Sequence, residues 1–182
     1  VIFVDNGSTN LPDSSVWPQN FHLHRCETPG SYAARNYGVE RAAGQLFVFT
    51  DADCAPSVQW LSRLWQAYLR NTIEKPEMLV GPIRPALPLN PSVEDMYDAI
   101  LDMRQDRYFN AGFAATANIA IPAVVFQKVG GFDDRRFSGG DVEFTRRAVA
   151  AGYPMKWVPE AVIDHPTRGS VDQLSTKMRR IR

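Results

Sequence analysis

The sequence is short of the residues that staple or charge a protein: 2 cysteines and 3 histidines in 182 positions, and no excess of either charge, with 20 Lys+Arg against 20 Asp+Glu. Two cysteines in unlike contexts, Cys26 and Cys54, cannot build a disulfide framework, and such usage fits a reducing compartment. A formal net charge of zero gives no global field toward nucleic acid or an anionic membrane, so recognition must be local. No apolar run approaches the ~20 residues of a membrane-spanning helix, and Val1–Val4 is too short for a signal-peptide core. A cytoplasmic protein is expected. Internal repeats and the signs of a second domain are also lacking. At 45% hydrophobic residues the chain can bury a sizeable core as one domain, 1–182. It begins directly on an apolar strand, without an initiator methionine or polar lead-in, and is expected to be cut from something longer.

What is present alternates strands with helices. Val1–Val4 is a β-branched and aromatic run ended by Asp5-Asn6-Gly7, a strong turn signal. Small and apolar residues at helical spacing from Ser31 to Ala43 predict a helix stopped by Gly44. Strand 46–50 follows, then a helix with the stripe Trp60, Leu61, Leu64, Trp65, Tyr68 and Leu69, then a strand from Leu79 to Ile83. This order implies parallel strands covered by helices. Pro82, Pro85, Pro88 and Pro91 space out an extended surface crossing. Ser92 and Asp95 form a variant capping box opening a helix that carries Val93, Met96, Tyr97, Ile100 and Leu101 on one side and runs to about Tyr108. Residues 111–117 form a close-packed or mobile loop before a strand over 118–121, and 122–129 a short helix stopped by Gly130-Gly131.

Three local arrangements can carry chemistry. Asp51-Ala52-Asp53 stands where the strand 46–50 runs out into a loop, and in a period-two stretch its carboxylates converge as hard ligands for Mg²⁺ or Mn²⁺. The plain alternative is a polar turn and helix cap before Pro56. From Gly130 to Phe144, a glycine-rich loop allows close approach of a ligand at Gly139 and Gly140 and delivers Asp141 to a helix start. There Asp141 is either a dipole-stabilised helix acid, with Glu143 a solvated neighbour, or a general base. His165, at the end of a short extended piece, is either a hydrogen-bonded histidine or a metal ligand.

Taken in order, Val4-Asp5-Asn6-Gly7-Ser8-Thr9, Ala34-Arg35-Asn36-Tyr37-Gly38, Phe49-Thr50-Asp51-Ala52-Asp53, Gly130-Gly131-Phe132-Asp133, Gly140-Asp141-Val142-Glu143-Phe144 and Pro159-Glu160-Ala161 with His165 resemble glycosyltransferase family 2 over nearly the whole chain. The resemblance implies an α/β GT-A fold, a Rossmann-like, mostly parallel sheet flanked by helices that binds a nucleoside diphosphate sugar at the carboxyl ends of its strands. It implies that Asp5 bonds the nucleobase and that Arg35 helps hold the base or sugar nucleotide. Asp51 would lie near the ribose and the metal's water shell, Asp53 would ligate Mn²⁺ or Mg²⁺, and His165 would complete the metal site. Asp141 would be the base of an inverting transfer to an acceptor hydroxyl, on a carbohydrate or lipid-linked acceptor, with a uridine diphosphate donor expected first. Asn10 and Gly140 stand where the family often has acids, and the family's first strand and helix have no counterpart. The Gln-x-x-Arg-Trp signature of processive synthases is not found, which favours single-sugar transfer.

Two rivals remain at this stage: a nucleotidyltransferase that makes nucleotide sugars, and a donor-binding module without turnover. Lys177, Arg179, Arg180 and Arg182 beside Leu174, Met178 and Ile181 read as an amphipathic surface helix, or as a peripheral contact with a membrane surface.

Overall fold

The structure, a computed structural model, describes residues 1–70, 75–101 and 103–181, with residues 180 and 181 in backbone only. In chain order the elements are β1 (Ile2–Asp5), β2 (His22–Arg25), α1 (Ser31–Val39), β3 (Leu46–Phe49), β4 (Ala55–Pro56), α2 (Trp60–Leu69), β5 (Met78–Val80), β6 (Ile83–Ala86), α3 (Val93–Leu101), α4 (Gln105–Asn110), β7 (Ile119–Pro122), α5 (Ala123–Val129), α6 (Gly140–Ala150), β8 (Met155–Trp157), β9 (Ile163–Pro166) and α7 (Val171–Ile181).

A four-stranded sheet, β3-β7-β5-β8, forms the centre. Its two middle strands are apolar throughout, and period two sorts their side chains onto opposite faces. Ile119, Ile121, Met78 and Val80 join one buried cluster with Phe126, Phe132 and Phe144. Ala120 and Leu79 join the other, with Trp60, Leu64, Ala161 and Ile163. The pair β1-β2 and the small sheet β4-β9-β6 flank this centre.

The α/β class holds, but the sheets are mixed. β1–β2, β5–β8 and β6–β9 pair in parallel, whereas β7 lies antiparallel to both β3 and β5, and β4 to β9. The order of early elements could not reveal β7, which arrives from the second half of the chain and inserts between β3 and β5.

Several boundaries also differ. The expected strand from Leu79 to Ile83 breaks at Gly81-Pro82: a Cβ on Gly81 would lie 2.1 Å from the Ala161 carbonyl oxygen, so the chain passes there only as glycine. The proline-spaced crossing is partly strand, with Pro85 paired opposite His165 on the outer strand of its sheet, where a missing donor is tolerated. Helix α1 stops at Val39 instead of Ala43, because the next amides, Arg41 and Ala42, bond three residues back and tighten the last turn. Helix α3 ends at Leu101, and α4 begins anew at Gln105.

The expected Ser92–Asp95 capping box is present: the Asp95 carboxylate accepts from the Ser92 amide at 2.9 Å, and the Ser92 hydroxyl accepts from the Asp95 amide at 3.1 Å. Yet α3 turns its acids inward. Asp95 and Asp98 are buried, whereas Val93, Met96, Tyr97, Ile100 and Leu101 are all exposed. Thr167 donates to Asp95 at 2.6 Å and the Arg168 amide to Asp98 at 3.0 Å, tying α3 to the segment that leads into α7. Helix α2 buries Trp60, Leu64 and Ala67, while Leu61 and Trp65 stay exposed beside Gly44, Leu46 and Val48, lining an apolar hollow of about 370 Å³. Of the expected basic C-terminal cluster, Lys177 and Arg179 lie on α7, and Arg182 and the side chains of Arg180 and Ile181 lie outside the described residues.

Candidate active site

The candidate residues gather at one end of the sheet. Asp5 closes β1, the turn 51–54 follows β3, and β7, running the other way, begins there with Ile119 opposite Phe49. Clefts outside the carboxyl ends of strands are the usual ligand sites of open α/β sheets.

Asp5 is 7% exposed. One of its oxygens accepts from the Ser8 amide at 3.0 Å, and the Ser8 hydrogen bonds hold its carboxyl below the ordinary range. The other oxygen, with the Arg25 guanidinium 3.8 Å away, is the single buried side-chain polar atom among the described residues without a hydrogen-bond partner. An orphaned buried acceptor is costly unless something donates to it. Asn6 builds the loop beside it, donating to the Cys26 and Thr28 carbonyls and accepting from the Gly30 amide.

Helix α1 connects the rest. Tyr32 and Arg35, three residues apart, share one face of the helix. The Tyr32 hydroxyl donates to Asp141 Oδ1 at 3.1 Å, and Arg35 Nη2 to Asp51 Oδ1 at 2.6 Å. One helical turn therefore reaches both the turn after β3 and the start of α6. Asn36 adds a third tie, exchanging bonds of 2.9 and 2.8 Å with the Phe132 backbone. Burial, and next the nearby Asp141 carboxylate, push the Tyr32 phenol upward, so it stays protonated and remains a donor.

Asp141 lies at the start of α6, after Gly139 in the left-handed region at φ 71°. Besides Tyr32, its carboxylate meets the Val142 amide at 3.0 Å and the Thr116 amide at 3.4 Å. Gly140 is constrained by contact: a Cβ would lie 2.7 Å from the Tyr32 ring. Glu143 is no solvated neighbour. It pairs with Arg147 at 2.7 Å, which holds its carboxyl low, and Arg147 also donates to the Gly131 and Val129 carbonyls, clamping the glycine turn.

The acid pair differs from its expected geometry. β3 ends at Phe49, and the Cys54 amide bonds the Asp51 carbonyl at 3.1 Å, so 51–54 is a tight turn without strand alternation. Asp51 faces Arg35, while Asp53 faces His165, with 3.9 Å between Asp53 Oδ2 and His165 Nε2. One donor atom each from Asp53, Cys54 and His165 lies within 4.8 Å of the others, a mixed O, S and N set suited to a divalent transition ion. Asp51 is not in that set. His165 is 6% exposed.

Sequence reasoning passed over Tyr32, Cys54 and Asn118. Tyr32 could have been found at helical spacing from Arg35, and Cys54 beside the acid pair. Asn118 gave no signal, yet its buried amide accepts from Trp60 and donates to the Pro82 and Ala161 carbonyls, tying α2 and two loop carbonyls to the start of β7.

The profile of Glycosyl transferase family 2 matches residues 1–74. The chain is 30% identical to Glycosyltransferase AglE of Haloferax volcanii over 98% of its own length and 60% of that protein's. It is 28% identical to the Pre-mycofactocin glycosyltransferase of Mycobacterium tuberculosis, over 92% of its length and 37% of that protein's. It therefore spans between about a third and three-fifths of these curated relatives. Among solved structures, GalNAc-T7 with UDP, GalNAc and Mn²⁺ superposes at a TM-score of 0.70 and 19% identity, over 99% of this chain and 41% of that one. S. aureus TarS 1-349 in complex with UDP-GlcNAc superposes at 0.66 and 15%, over 96% and 51%.

Proposed function

We propose, from the premise that the chain belongs to glycosyltransferase family 2 and has the GT-A fold, that it transfers one sugar from a nucleoside diphosphate donor to an acceptor hydroxyl with inversion. The observation that carries this reading is the shared face of α1, where Tyr32 and Arg35 tie Asp141 and Asp51 to one turn of the helix.

Asp5, with its unpartnered oxygen, accepts the imide N–H of a pyrimidine base, which favours a uridine diphosphate donor. UDP-bound neighbours of the same fold support that choice. Arg35, held by Asp51, borders the sugar nucleotide, and the open side of Gly139 leaves room for the sugar to approach, while Gly140 seats the Tyr32 ring. Asp53 and His165 would hold Mn²⁺ or Mg²⁺. When bound, the ion supplies positive charge to the departing diphosphate.

Asp141 takes the acceptor proton. Tyr32 and the Val142 amide orient its Oδ1, while Oδ2, with only the longer Thr116 contact, faces the acceptor. The acceptor oxygen bonds the anomeric carbon as the bond to the diphosphate breaks on the opposite face. A carbohydrate or lipid-linked alcohol is the acceptor class. Among the described residues no helix is long and apolar enough to cross a membrane.

Loss of a positioned general base costs about 10²- to 10⁴-fold. Asp141→Asn should therefore remove most transfer, followed as release of nucleoside diphosphate, while UDP still binds by calorimetry. Full turnover in that variant would remove Asp141 from the mechanism.

A further inference from the structure

We propose that the Cys54 thiolate is a third metal donor beside Asp53 and His165, and that the site consequently selects Mn²⁺, Co²⁺ or Zn²⁺ over Mg²⁺. This rests on the reading that the turn after β3 holds a divalent ion. It exchanges Asp51, the expected second acid, for a sulfur.

The sheet register brings the three donors together. β4 pairs antiparallel with β9, Pro56 opposite Ile163 and Ala55 opposite Asp164, and continuing the ladder by one residue sets Cys54 opposite His165. Directly opposed residues hold their Cβ atoms about 4.5–5.5 Å apart, in keeping with donor atoms that all lie within 4.8 Å of one another. Cys54 is half-buried and in no disulfide.

His165 points independently to a ligand. Its Nδ1 lies 2.8 Å from the Pro166 carbonyl. A carbonyl can only accept, so Nδ1 carries the hydrogen, and in the neutral ring Nε2 then keeps the lone pair, the arrangement common to metal-bound histidines. That nitrogen, on a buried ring, faces Asp53 Oδ2 at 3.9 Å, too long for a hydrogen bond. Two donors each about 2.0–2.2 Å from a tetrahedral ion stand about 3.3–3.6 Å apart, so a closing movement of a few tenths of an ångström would seat both on one ion. Asp51 is already committed to Arg35 at 2.6 Å.

Magnesium favours an octahedron of oxygens and keeps its waters. Imidazole and thiolate move the preference along the series from manganese toward zinc. Binding would release the thiol proton to solvent, leaving the remaining coordination positions to diphosphate oxygens or water.

Cobalt titration tests this by spectroscopy, without turnover. One equivalent of Co²⁺ should produce a near-ultraviolet sulfur-to-cobalt charge-transfer band in the wild-type protein and in Cys26→Ser. Cys54→Ser should lose the band and lower the preference for Mn²⁺ over Mg²⁺ by about tenfold or more. A measurement on the unsubstituted protein guards against a folding defect: alkylation of Cys54, mapped by mass spectrometry, should be blocked by Cd²⁺ and left unchanged by Mg²⁺. Co²⁺ binding by calorimetry without the band, or alkylation indifferent to Cd²⁺, would overturn the sulfur ligand and leave the divalent site standing. No binding of Co²⁺ or Mn²⁺ at all would overturn both.

Discussion

Helices α2 and α3 are near equals in length and in the strength of their apolar stripes, yet the protein uses them in opposite ways. α2 lays Trp60, Leu64 and Ala67 against β5 and the strands beside it. α3 shows its stripe to solvent and buries Asp95 and Asp98. An apolar stripe pulls a helix inward by about 1.5–3 kcal/mol for each large side chain fully buried, but only where a surface waits to receive it. The interior of the protein offers α3 donors instead: the Thr167 hydroxyl and the Arg168 amide and guanidinium, all from the segment between β9 and α7. Charge-assisted bonds to two acids set its rotation.

The contrast can be broken first on the side of α2. Leu64 is fully buried, and Leu64→Ala should cost about 3–4 kcal/mol by lost transfer and an unfilled cavity. For a chain of this size that lowers the melting temperature by about 6–16 °C. A loss under about 1 kcal/mol in denaturant titration would mean that α2 is no better seated than α3.

Asp98 is the matching position on α3. Its side chain is 5% exposed, and its partner Arg168 20%. Removing one member of such a pair strands the other, so Asp98→Ala should cost about 2–4 kcal/mol, toward the lower end because Arg168 still reaches water. Acid should weaken the same anchor at Asp95. Hydrogen bonds from Thr167 and Ser92 hold that carboxyl below its ordinary 3.8, so the folded state binds fewer protons than the unfolded one. The contribution is complete above about 3.8 and disappears as pH falls through the lowered folded value. Asp95→Asn should flatten the acid limb of the stability curve, and an unchanged limb would show that Asp95 is not part of the anchor.

These two helices also mark how far the sequence could be read. Where the receiving surface was local, pattern sufficed: the strands at Val1 and Leu46, the Trp60–Leu64 part of the α2 stripe and the Ser92–Asp95 box are all set by residues within a turn or two, whereas Leu61, Trp65 and Leu69 of that stripe stay exposed. What needed a distant partner was hidden. The rotation of α3 depends on Thr167 and Arg168, some seventy positions on, and the antiparallel place of β7 depends on Ile119 meeting Phe49. In the candidate site, motif spacing singled out Asp5, Arg35, Asp51, Asp53, Asp141 and His165. It did not disclose which carboxylate faces which neighbour. Strand periodicity paired Asp51 with Asp53, whereas a tight turn divides them between Arg35 and His165. Backbone geometry at a strand end is decided by the loop's own hydrogen bonds, and residue types alone do not reveal that.

The smallest expected effect gives the sharpest form of the comparison, because it predicts almost nothing where the sequence pattern predicts a large loss. Ile100 stands in the apolar stripe of α3 and is 57% exposed. Were α3 seated as α2 is, Ile100→Ser would forfeit a core side chain, at about 2–5 kcal/mol. With the acids inward, the substitution exchanges one half-exposed surface residue for another of similar helix propensity, and unfolding should move by no more than about 0.5 kcal/mol. Equilibrium denaturation reads the difference directly, and Met96→Ser, on the same exposed face, should repeat it. A cost above about 1.5 kcal/mol in both would show the stripe to be covered in solution, and the buried acids would no longer explain why α3 faces as it does.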